Sequence, residues 1–320
     1  MKCAFVIGCT GQDGSYLTKS LIQQGFKVVG ISRKKQPNLK NHKILNISDE
    51  IEIIENQLQS TTEFIELIRT YLPSEIYHLS AQSSVGLSFE QPLKTYKSIV
   101  ESTNVVLESC RLTDYKGKIF LAGSSEIFGN YSKAISINSA QNGKSPYAIS
   151  KKQSLLQADM YREIYDLKVV TGILFNHESP LRDVKFVTRK IVKEAVNIQS
   201  NQNKILKLGN IKVIRDWGWA EEYVEAMQLI LRSKKLKNYL ICTGKPNSLE
   251  LFVKKVFDKL GLDYKDHVQF DKAISRKFDI ETSYGDPSSL KQDLGWEAKK
   301  TFDDVIELLL ENELKNKHFK

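Results

Sequence analysis

The N-terminus constrains the fold of this chain more than any other segment, because a short apolar strand there leads straight into a glycine-rich loop. Residues 3–8 are apolar, and the loop places Gly8, Gly11 and Gly14 at G-x-x-G-x-x-G spacing. Glycines at this spacing permit a tight turn, close approach of the backbone to a pyrophosphate, and close packing of a helix. The helix-like run from about Ser15 to Gln24 supplies amide donors and the positive end of a dipole. This pattern predicts a dinucleotide-binding site.

Further apolar runs predict a parallel sheet with helical crossovers. They alternate with helix-like stretches such as 61–71, which stops before Pro73. Strands separated by helices of this length form parallel sheets with right-handed connections. We therefore expect an α/β fold, with a Rossmann-type doubly wound parallel sheet and a smaller C-terminal α/β lobe. The further strands are expected at 27–31, 75–79, 118–122 and 168–174.

The alternation becomes less regular after about residue 176, which indicates a division of the chain. Residues 1–175 are expected to form the NADP-binding Rossmann domain, and residues 176–320 mainly a substrate-binding lobe. A segment of about 208–235 is expected to return to the first domain. In the second half, helices are expected near 186–199, 220–233, 249–260 and 302–313.

Composition excludes several classes of protein. With 320 residues, 41% hydrophobic and 27% charged, the chain matches folded globular proteins and not disordered or collagen-like ones. No apolar run approaches the roughly 18 residues of a membrane span, and the apolar start lacks the pattern of a signal peptide.

The four cysteines have no Cys-x-x-Cys spacing, so we expect reduced core residues in the cytoplasm and no metal site. The formal charge of +9 is dispersed, which favours anionic small ligands over nucleic acid, and no membrane partner is expected.

The end of the second predicted strand distinguishes two related cofactors. Sites for NAD place an acidic residue there for the ribose hydroxyls, whereas sites for NADP place a basic residue near the 2′-phosphate. Here the strand ends in Ser32-Arg33-Lys34, without an acid. This favours NADP, with a solvated basic turn as the alternative interpretation.

A Tyr-x-x-x-Lys pair predicts acid–base chemistry. Tyr147 and Lys151 are four residues apart and therefore share one face of a helix. A nearby ammonium favours the phenolate, lowers the tyrosine pKa and makes it a usable general base. A predicted strand leads into Ser124, between the glycine loop and this pair. Together these features resemble the extended branch of the short-chain dehydrogenase/reductase superfamily, which implies that Ser124, Tyr147 and Lys151 are catalytic.

The type of residue at the position of Glu126 distinguishes two kinds of enzyme within that superfamily. The resemblance implies a small residue here in epimerases and an acid in 4,6-dehydratases. Oxidation at C4 of a hexose makes the C5 proton acidic, and a second base must then remove it while water leaves C6. On local sequence alone, Glu126 would be an exposed loop acid. Within this set of residues it indicates a catalytic role in a dehydratase.

Longer runs resemble GDP-mannose 4,6-dehydratases in particular. The resemblance extends from about residue 3 to 310 and is most specific in Phe-Asn-His-Glu-Ser-Pro at 175–180. Shorter matches are Gly-Gln-Asp-Gly-Ser-Tyr-Leu from Gly11 and Arg-Asp-Trp-Gly from Arg215. The resemblance implies conversion of GDP-mannose, or a related GDP-sugar such as a GDP-manno-heptose, to the 4-keto-6-deoxy sugar. It also implies NADP and a homodimer or homotetramer, the dimer through helices near 94–111 and 147–165.

The same resemblance assigns binding residues position by position. The cofactor would contact Gly8, Thr10, Gly11, Gln12, Asp13, Gly14, Arg33, Gln57, Leu58, Leu79, Ala81, Gln82, Lys151, His177 and Arg182. The GDP-sugar would contact Ser83, Ser124, Asn176, Lys190, Arg215 and Arg276. Cations suit a diphosphate, and arginine can bind it through two hydrogen bonds.

Some positions depart from the family's usual residues. Gln57 stands where an aspartate is usual, Ser84 where a histidine is usual, Lys94 where a tyrosine is usual and Leu181 where an arginine is usual. These changes lie around the adenine, the sugar and the subunit interface, and they leave the catalytic residues intact. The choice between hexose and heptose, and between dimer and tetramer, stays open.

Two other functions stay open at this stage. A GDP-sugar 4-reductase or epimerase could use the same scaffold, and net consumption of NADPH would indicate a reductase. A non-catalytic dinucleotide-binding module is the more remote alternative. A degraded catalytic set would favour that module, whereas Ser124, Tyr147 and Lys151 are all present.

Overall fold

A computed structural model of the chain describes residues 2–271, 274 and 278–318. Its strands are β1 (Cys3–Ile7), β2 (Lys27–Ser32), β3 (Glu52–Glu55), β4 (Glu75–His78), β5 (Lys118–Ser124), β6 (Val169–Leu174), β7 (Asn176–Glu178), β8 (Leu206–Leu208), β9 (Ile214–Trp219), β10 (Tyr239–Ile241), β11 (Pro246–Ser248), β12 (Val268–Phe270) and β13 (Thr282–Ser283). Its α-helices are α1 (Gln12–Gln23), α2 (Lys40–Leu45), α3 (Thr61–Tyr71), α4 (Val85–Glu90), α5 (Pro92–Tyr96), α6 (Ser102–Leu112), α7 (Pro146–Tyr165), α8 (Val187–Ser200), α9 (Ala220–Arg232), α10 (Leu249–Asp258), α11 (Tyr264–His267), α12 (Ser288–Leu294) and α13 (Phe302–His318). A π-helical turn (Lys97–Glu101) joins α5 to α6, and a 3₁₀ turn (Ser125–Ile127) follows β5.

The central sheet confirms the predicted doubly wound α/β fold. In the described part of the chain it has seven strands, in the order β10-β6-β5-β4-β1-β2-β3, and every pairing is parallel. The strand order reverses at β1, which pairs with β2 on one side and β4 on the other. All five residues of β1 are buried, as expected for a central strand with helices on both faces.

Two strands of this sheet and the start of α1 differ from the sequence-based prediction. β3 and β10 were not predicted, because β3 has only two apolar residues between glutamates and β10 has three residues in all. α1 begins at Gln12, so Gln12, Asp13 and Gly14 form its first turn instead of belonging to the loop. The helices expected near 186–199, 220–233 and 249–260 are present as α8, α9 and α10.

The second lobe packs helices against a small sheet. β9 pairs with β11 and β13, while β7 pairs with the end of β9. Trp217 of β9 stacks on Phe302 of α13 with 5.7 Å between ring centroids, and it also packs on Phe252 of α10. Trp217 is therefore a core residue of this lobe.

The chain returns to the first domain through α9 and β10. α9 packs against α1, and β10 pairs with β6. The returning segment was expected at about 208–235, but β9 within that range lies in the second sheet, and β10 lies beyond it. The buried face of α9, which includes Tyr223 and Met227, explains why this helix covers the large sheet.

Two further observations bear on the class of protein. All four cysteines are buried and free, and burial raises the pKa of the Cys9 thiol to about 12. Throughout the described ranges, no helix combines the length and apolar character that crossing a membrane requires.

The parallel sheet places the loops after β1, β4, β5 and β6 at one edge, where α/β proteins bind ligands.

Candidate active site

The glycine loop packs so closely that side chains are excluded at two positions. Gly8 has a φ of +87°, and a Cβ there would lie 2.8 Å from the Ser80 amide nitrogen. A Cβ on Gly14 would lie 2.2 Å from the Gly8 carbonyl oxygen. Gly11 is the N-cap of α1, and no side chain caps this helix. The first-turn amides therefore face the loop as an anion site, so these residues fit the pyrophosphate of a dinucleotide.

A buried ion pair joins this loop to the second half of the chain. Asp13 Oδ2 lies 2.9 Å from His177 Nε2, and His177 Nδ1 lies 2.7 Å from the Phe175 carbonyl oxygen. Burial opposes the charge on both groups, but their mutual attraction outweighs it. The pKa of His177 is raised and that of Asp13 is lowered. The pair is thus ionised and neutral overall, so Asp13 adds little repulsion to an anion at the helix N-terminus.

The segment around His177 makes further contacts with the first turn of α1. Gln12 Nε2 donates to the His177 carbonyl oxygen at 3.2 Å, and the Ser179 hydroxyl donates to Gln12 Oε1 at 2.8 Å. Arg182 Nη1 donates to the same carbonyl oxygen at 2.6 Å and lies over the Phe186 ring. The predicted cofactor residues Gln12, Asp13, His177 and Arg182 therefore form one connected group.

The four predicted catalytic residues come from three elements: β5, the 3₁₀ turn that follows it, and α7. Ser124 ends β5, Glu126 lies in the 3₁₀ turn, and Tyr147 and Lys151 lie in the first two turns of α7. The start of α7 is fixed because the Ser145 hydroxyl accepts the Ala148 amide at 3.0 Å and proline occupies the first helical position. The Ser124 hydroxyl accepts the Glu126 amide at 3.3 Å, and it also acts to lower the pKa of Tyr147.

The pKa values at this site differ from the sequence-based expectation. Burial raises the pKa of Tyr147 to about 12; the Ser124 hydroxyl opposes this shift and the Glu126 charge adds to it. Burial lowers the pKa of Lys151 to about 8. The expected lowering of the Tyr147 pKa by Lys151 is wrong for the protein alone. The Lys151 ammonium donates to the Ala122 carbonyl oxygen at 2.7 Å and lies 5.9 Å from the Tyr147 ring centroid.

Sequence reasoning missed a buried histidine near Lys151. His78 ends β4, and its Nε2 lies 3.1 Å from the Ser102 hydroxyl. Burial, together with the charge of Lys151, lowers the His78 pKa to about 3, so this imidazole is neutral. Thr171, whose hydroxyl has no hydrogen-bond partner within the described structure, lines the same small cavity as His78 and Lys151. A polar residue at the end of an apolar strand was the available signal.

The other predicted cofactor residues follow β1, β2, β3 and β4 at the same sheet edge. Thr10 lies in the glycine loop, Arg33 and Gln57 are exposed, and Leu58 is buried with a φ of +53°. Leu79 and Ala81 are half-buried. Gln82 is half-buried too, and its side-chain amide donates to the Ser84 carbonyl oxygen in its own loop and to the Thr95 hydroxyl of α5.

Three predicted substrate residues lie on the second lobe. Asn176 of β7 is the register partner of Trp217 in β9, and Lys190 Nζ on α8 donates to the Lys207 carbonyl oxygen at 2.7 Å. Arg215 is buried, and its guanidinium lies 3.3 Å from Asp279 Oδ1. Two further predicted residues stand apart: Ser83 lies on the exposed loop after β4, and Arg276 lies outside the described residues.

Solved structures similar to this one are enzymes of nucleotide-sugar chemistry. A dTDP-glucose 4,6-dehydratase from Streptomyces venezuelae, solved with NAD, has a TM-score of 0.89 and 18% identity, covering 100% of this chain and 98% of that one. A UDP-glucose 4-epimerase from Thermus thermophilus, also solved with NAD, has a TM-score of 0.85 and 22% identity, covering 98% and 99%. At identities of 18% and 22%, the structural similarity establishes the fold alone.

Proteins that are similar in sequence identify the family more specifically than the solved structures do. A GDP-mannose 4,6-dehydratase of Arabidopsis thaliana is 36% identical over 98% of this chain and 90% of its own length. The human GDP-mannose 4,6-dehydratase is 32% identical over 95% and 89%, and the Vibrio cholerae enzyme is 32% identical over 98% and 94%. The family model for GDP-mannose 4,6-dehydratase matches residues 5–309. The chain therefore belongs to the GDP-mannose 4,6-dehydratase family.

Proposed function

We propose that this protein is a GDP-sugar 4,6-dehydratase that uses NADP and acts on GDP-mannose or a related GDP-sugar such as a GDP-manno-heptose. The observation that carries the proposal is the position of Glu126. It follows Ser124 by two residues, and its charge acts on Tyr147 across the site. A 4-reductase or epimerase needs one acid–base group at the sugar, whereas dehydration needs a second base.

The tyrosine, serine and lysine would perform the oxidation half of the reaction. Tyr147 takes the proton of the sugar C4 hydroxyl, and the Ser124 hydroxyl stabilises the resulting tyrosinate and orients the C4 oxygen. Lys151 holds a positive charge next to this pair. The glycine loop and the first turn of α1 would hold the cofactor, which would supply a hydride acceptor for C4, a hydride donor for C6 and a positive ring charge that favours the tyrosinate.

Glu126 would perform the elimination. Once C4 is a ketone, the C5 proton is acidic, and the Glu126 carboxylate removes it. The same residue, now protonated, gives its proton to the C6 hydroxyl, which leaves as water. A proton then returns to C5, and the product is the 4-keto-6-deoxy sugar with no net use of oxidant. Each acid–base step of this kind contributes roughly 10²- to 10⁴-fold in rate.

The basic residue after β2 supports NADP over NAD. Arg33 directly follows the last residue of β2 and is exposed at the sheet edge. The ribose of a dinucleotide bound at the glycine loop reaches the end of this strand in α/β folds of this type. A guanidinium there can bind the 2′-phosphate through two hydrogen bonds.

The second lobe would hold the GDP moiety. Arg215 on β9 and Lys190 on α8 would supply two cations, and Asn176 lies on β7, which pairs with β9. Because Asp279 already pairs with Arg215, the guanidinium is held in position before a diphosphate arrives. We also propose a cytoplasmic location, which the four buried and unreactive thiols favour.

An apolar stripe on α7 supports a dimer. Ile149, Leu156, Met160 and Ile164 recur at helical spacing and are between 40% and 67% exposed. Leu112 of α6 adds a further exposed apolar side chain, and α6 packs beside α7. Contiguous exposed apolar surface of this kind marks protein–protein contacts. We propose that α6 and α7 of a second copy cover it.

The first prediction concerns Glu126. Replacement by glutamine removes the second base but keeps the shape, so loss of water from the GDP-sugar should slow by about 10²- to 10⁴-fold. The partial oxidation should persist and appear as absorbance of the reduced nicotinamide after substrate is added. Glu90→Gln, an exposed glutamate on α4, is the matched control and should turn over normally. Full turnover by Glu126→Gln would contradict the assignment, and net NADPH consumption by the wild type would favour a reductase.

The second prediction concerns cofactor choice. Arg33→Ala removes the proposed partner of the 2′-phosphate, so NADP binding should weaken by about tenfold or more while NAD binding changes little. Both dissociation constants can be measured by calorimetry on protein stripped of nucleotide. Arg69→Ala, an exposed arginine on α3, should leave the ratio unchanged. Tighter wild-type binding of NAD than of NADP would refute the proposal.

The third prediction concerns the Asp13–His177 pair. Its stabilisation is lost as pH rises through the raised pKa of His177, and also as pH falls through the lowered pKa of Asp13. Asp13→Asn should therefore lower the free energy of unfolding by about 3 kcal/mol near neutral pH, and by less in alkaline solution. Chemical unfolding of both proteins across this range measures the difference. Asp183→Asn, at an exposed carboxylate paired with Lys185, should show neither effect, and a pH-independent cost at Asp13 would disprove the ion-pair account.

The fourth prediction concerns assembly. Leu156→Lys with Ile164→Lys places charges in the proposed interface and should convert a dimer to a monomer in sedimentation experiments. Ile44→Lys changes an equally exposed apolar residue on α2 and should leave the dimer intact. A wild-type monomer at micromolar concentration, or dimers that survive the double substitution, would be inconsistent with this interface.

A further inference from the structure

The second lobe contains a cavity that the proposed chemistry does not use. It has a volume of about 480 Å³ and lies between β11, the middle of α10 and the segment that leads into α13. Small-molecule sites typically have volumes of about 300–1,000 Å³. Trp217 and Phe302 supply its aromatic lining. The cavity is therefore large enough for a small ligand.

The walls of the cavity are strongly basic. Four lysines line it, against a single carboxylate, Asp303, which pairs with Lys255 at 2.7 Å. The other three lysines make no ion pair with any residue that the structure describes. Clustered like charges repel one another, and a bound anion would relieve that repulsion. The four are Lys245, Lys255, Lys299 and Lys300.

Hydrogen bonds to α9 fix the segment that carries two of these lysines. The buried Glu222 carboxylate on α9 accepts the Lys299 amide at 3.2 Å and the Lys300 amide at 3.1 Å. The backbone at these positions is thus fixed by hydrogen bonds, while both side chains are exposed. A fixed backbone lowers the cost of bringing the ammonium groups to one ligand.

The start of α13 adjoins the same space. Thr301 lines the cavity as the residue before α13, a helix of 17 residues whose N-terminus carries positive partial charge. The Asp304 carboxylate of the first turn is already engaged by the Thr301 amide and hydroxyl at 2.7 and 2.8 Å. Trp217 is 3% exposed at the cavity wall.

We propose that this cavity is a second anion site that binds a small organic mono- or diphosphate. The ammonium groups and the helix N-terminus are donors of the kind that a phosphate group requires. The site is distinct from the proposed GDP site. Its lining does not include Asn176, Lys190 or Arg215, although Asn247 of the lining lies on β11 opposite Arg215, so the two sites adjoin.

Calorimetric titration of the full chain with inorganic pyrophosphate tests the proposal. The wild type should bind, and Lys245→Ala with Lys300→Ala should weaken binding by about tenfold or more, because each lost charge-assisted contact is costly. Lys234→Ala with Lys254→Ala removes the same charge from exposed positions outside the cavity and should bind like the wild type. Equal unfolding midpoints for all variants confirm that they are folded.

Three outcomes would overturn the proposal. Equal weakening by both lysine pairs would mean that pyrophosphate responds only to net charge. Loss of binding in Lys190→Ala, with no effect of the cavity variants, would place the anion in the GDP site. Tighter binding of a short DNA duplex than of pyrophosphate through the same lysines would make the surface a nucleic-acid contact. Because the test needs no turnover, it is independent of the proposed dehydratase activity.

Discussion

All the residues proposed for chemistry depend on one geometric constraint, the parallel alignment of seven strands. Parallel strands end at the same edge of a sheet, so loops far apart in sequence meet there. The glycine loop after β1, Ser124 at the end of β5 and the 175–180 segment after β6 are brought together in this way. The reversal of strand order at β1 opens the crevice between the two sets of loops.

Within this frame, the buried Asp13–His177 pair connects the two halves of the molecule. It links the first turn of α1 to the segment that leads into the second lobe, and the hydrogen bonds of Gln12 with His177 and Ser179 reinforce it. The pair also reduces the repulsion between the Asp13 carboxylate and an anionic ligand. A lone buried carboxylate beside a pyrophosphate site would repel the ligand, whereas an ionised pair is close to neutral.

Burial shifts the pKa values of Tyr147 and Lys151 in opposite directions. The same desolvation that raises the Tyr147 pKa lowers that of Lys151, because one acquires charge on deprotonation and the other loses it. The protein alone therefore holds Tyr147 neutral, and the base form depends on positive charge supplied at the site. The four-residue spacing of Tyr147 and Lys151 places them on one face of α7, but it does not determine the direction of either pKa shift.

Local patterns in the sequence determined the glycine loop, the Tyr147–Lys151 pair, the position of Glu126 and the alternation of strands with helices, since each of these depends on neighbouring residues. The tertiary structure decided which distant groups meet. Asp13 and His177 are 164 residues apart, and neither their contact nor the burial that shifts their pKa values has a local signature. The short strands β3 and β10 and the lysine-lined cavity likewise depend on partners elsewhere in the chain. Spacing along a helix or strand is a property of the sequence, whereas desolvation and long-range pairing exist only once the chain is folded.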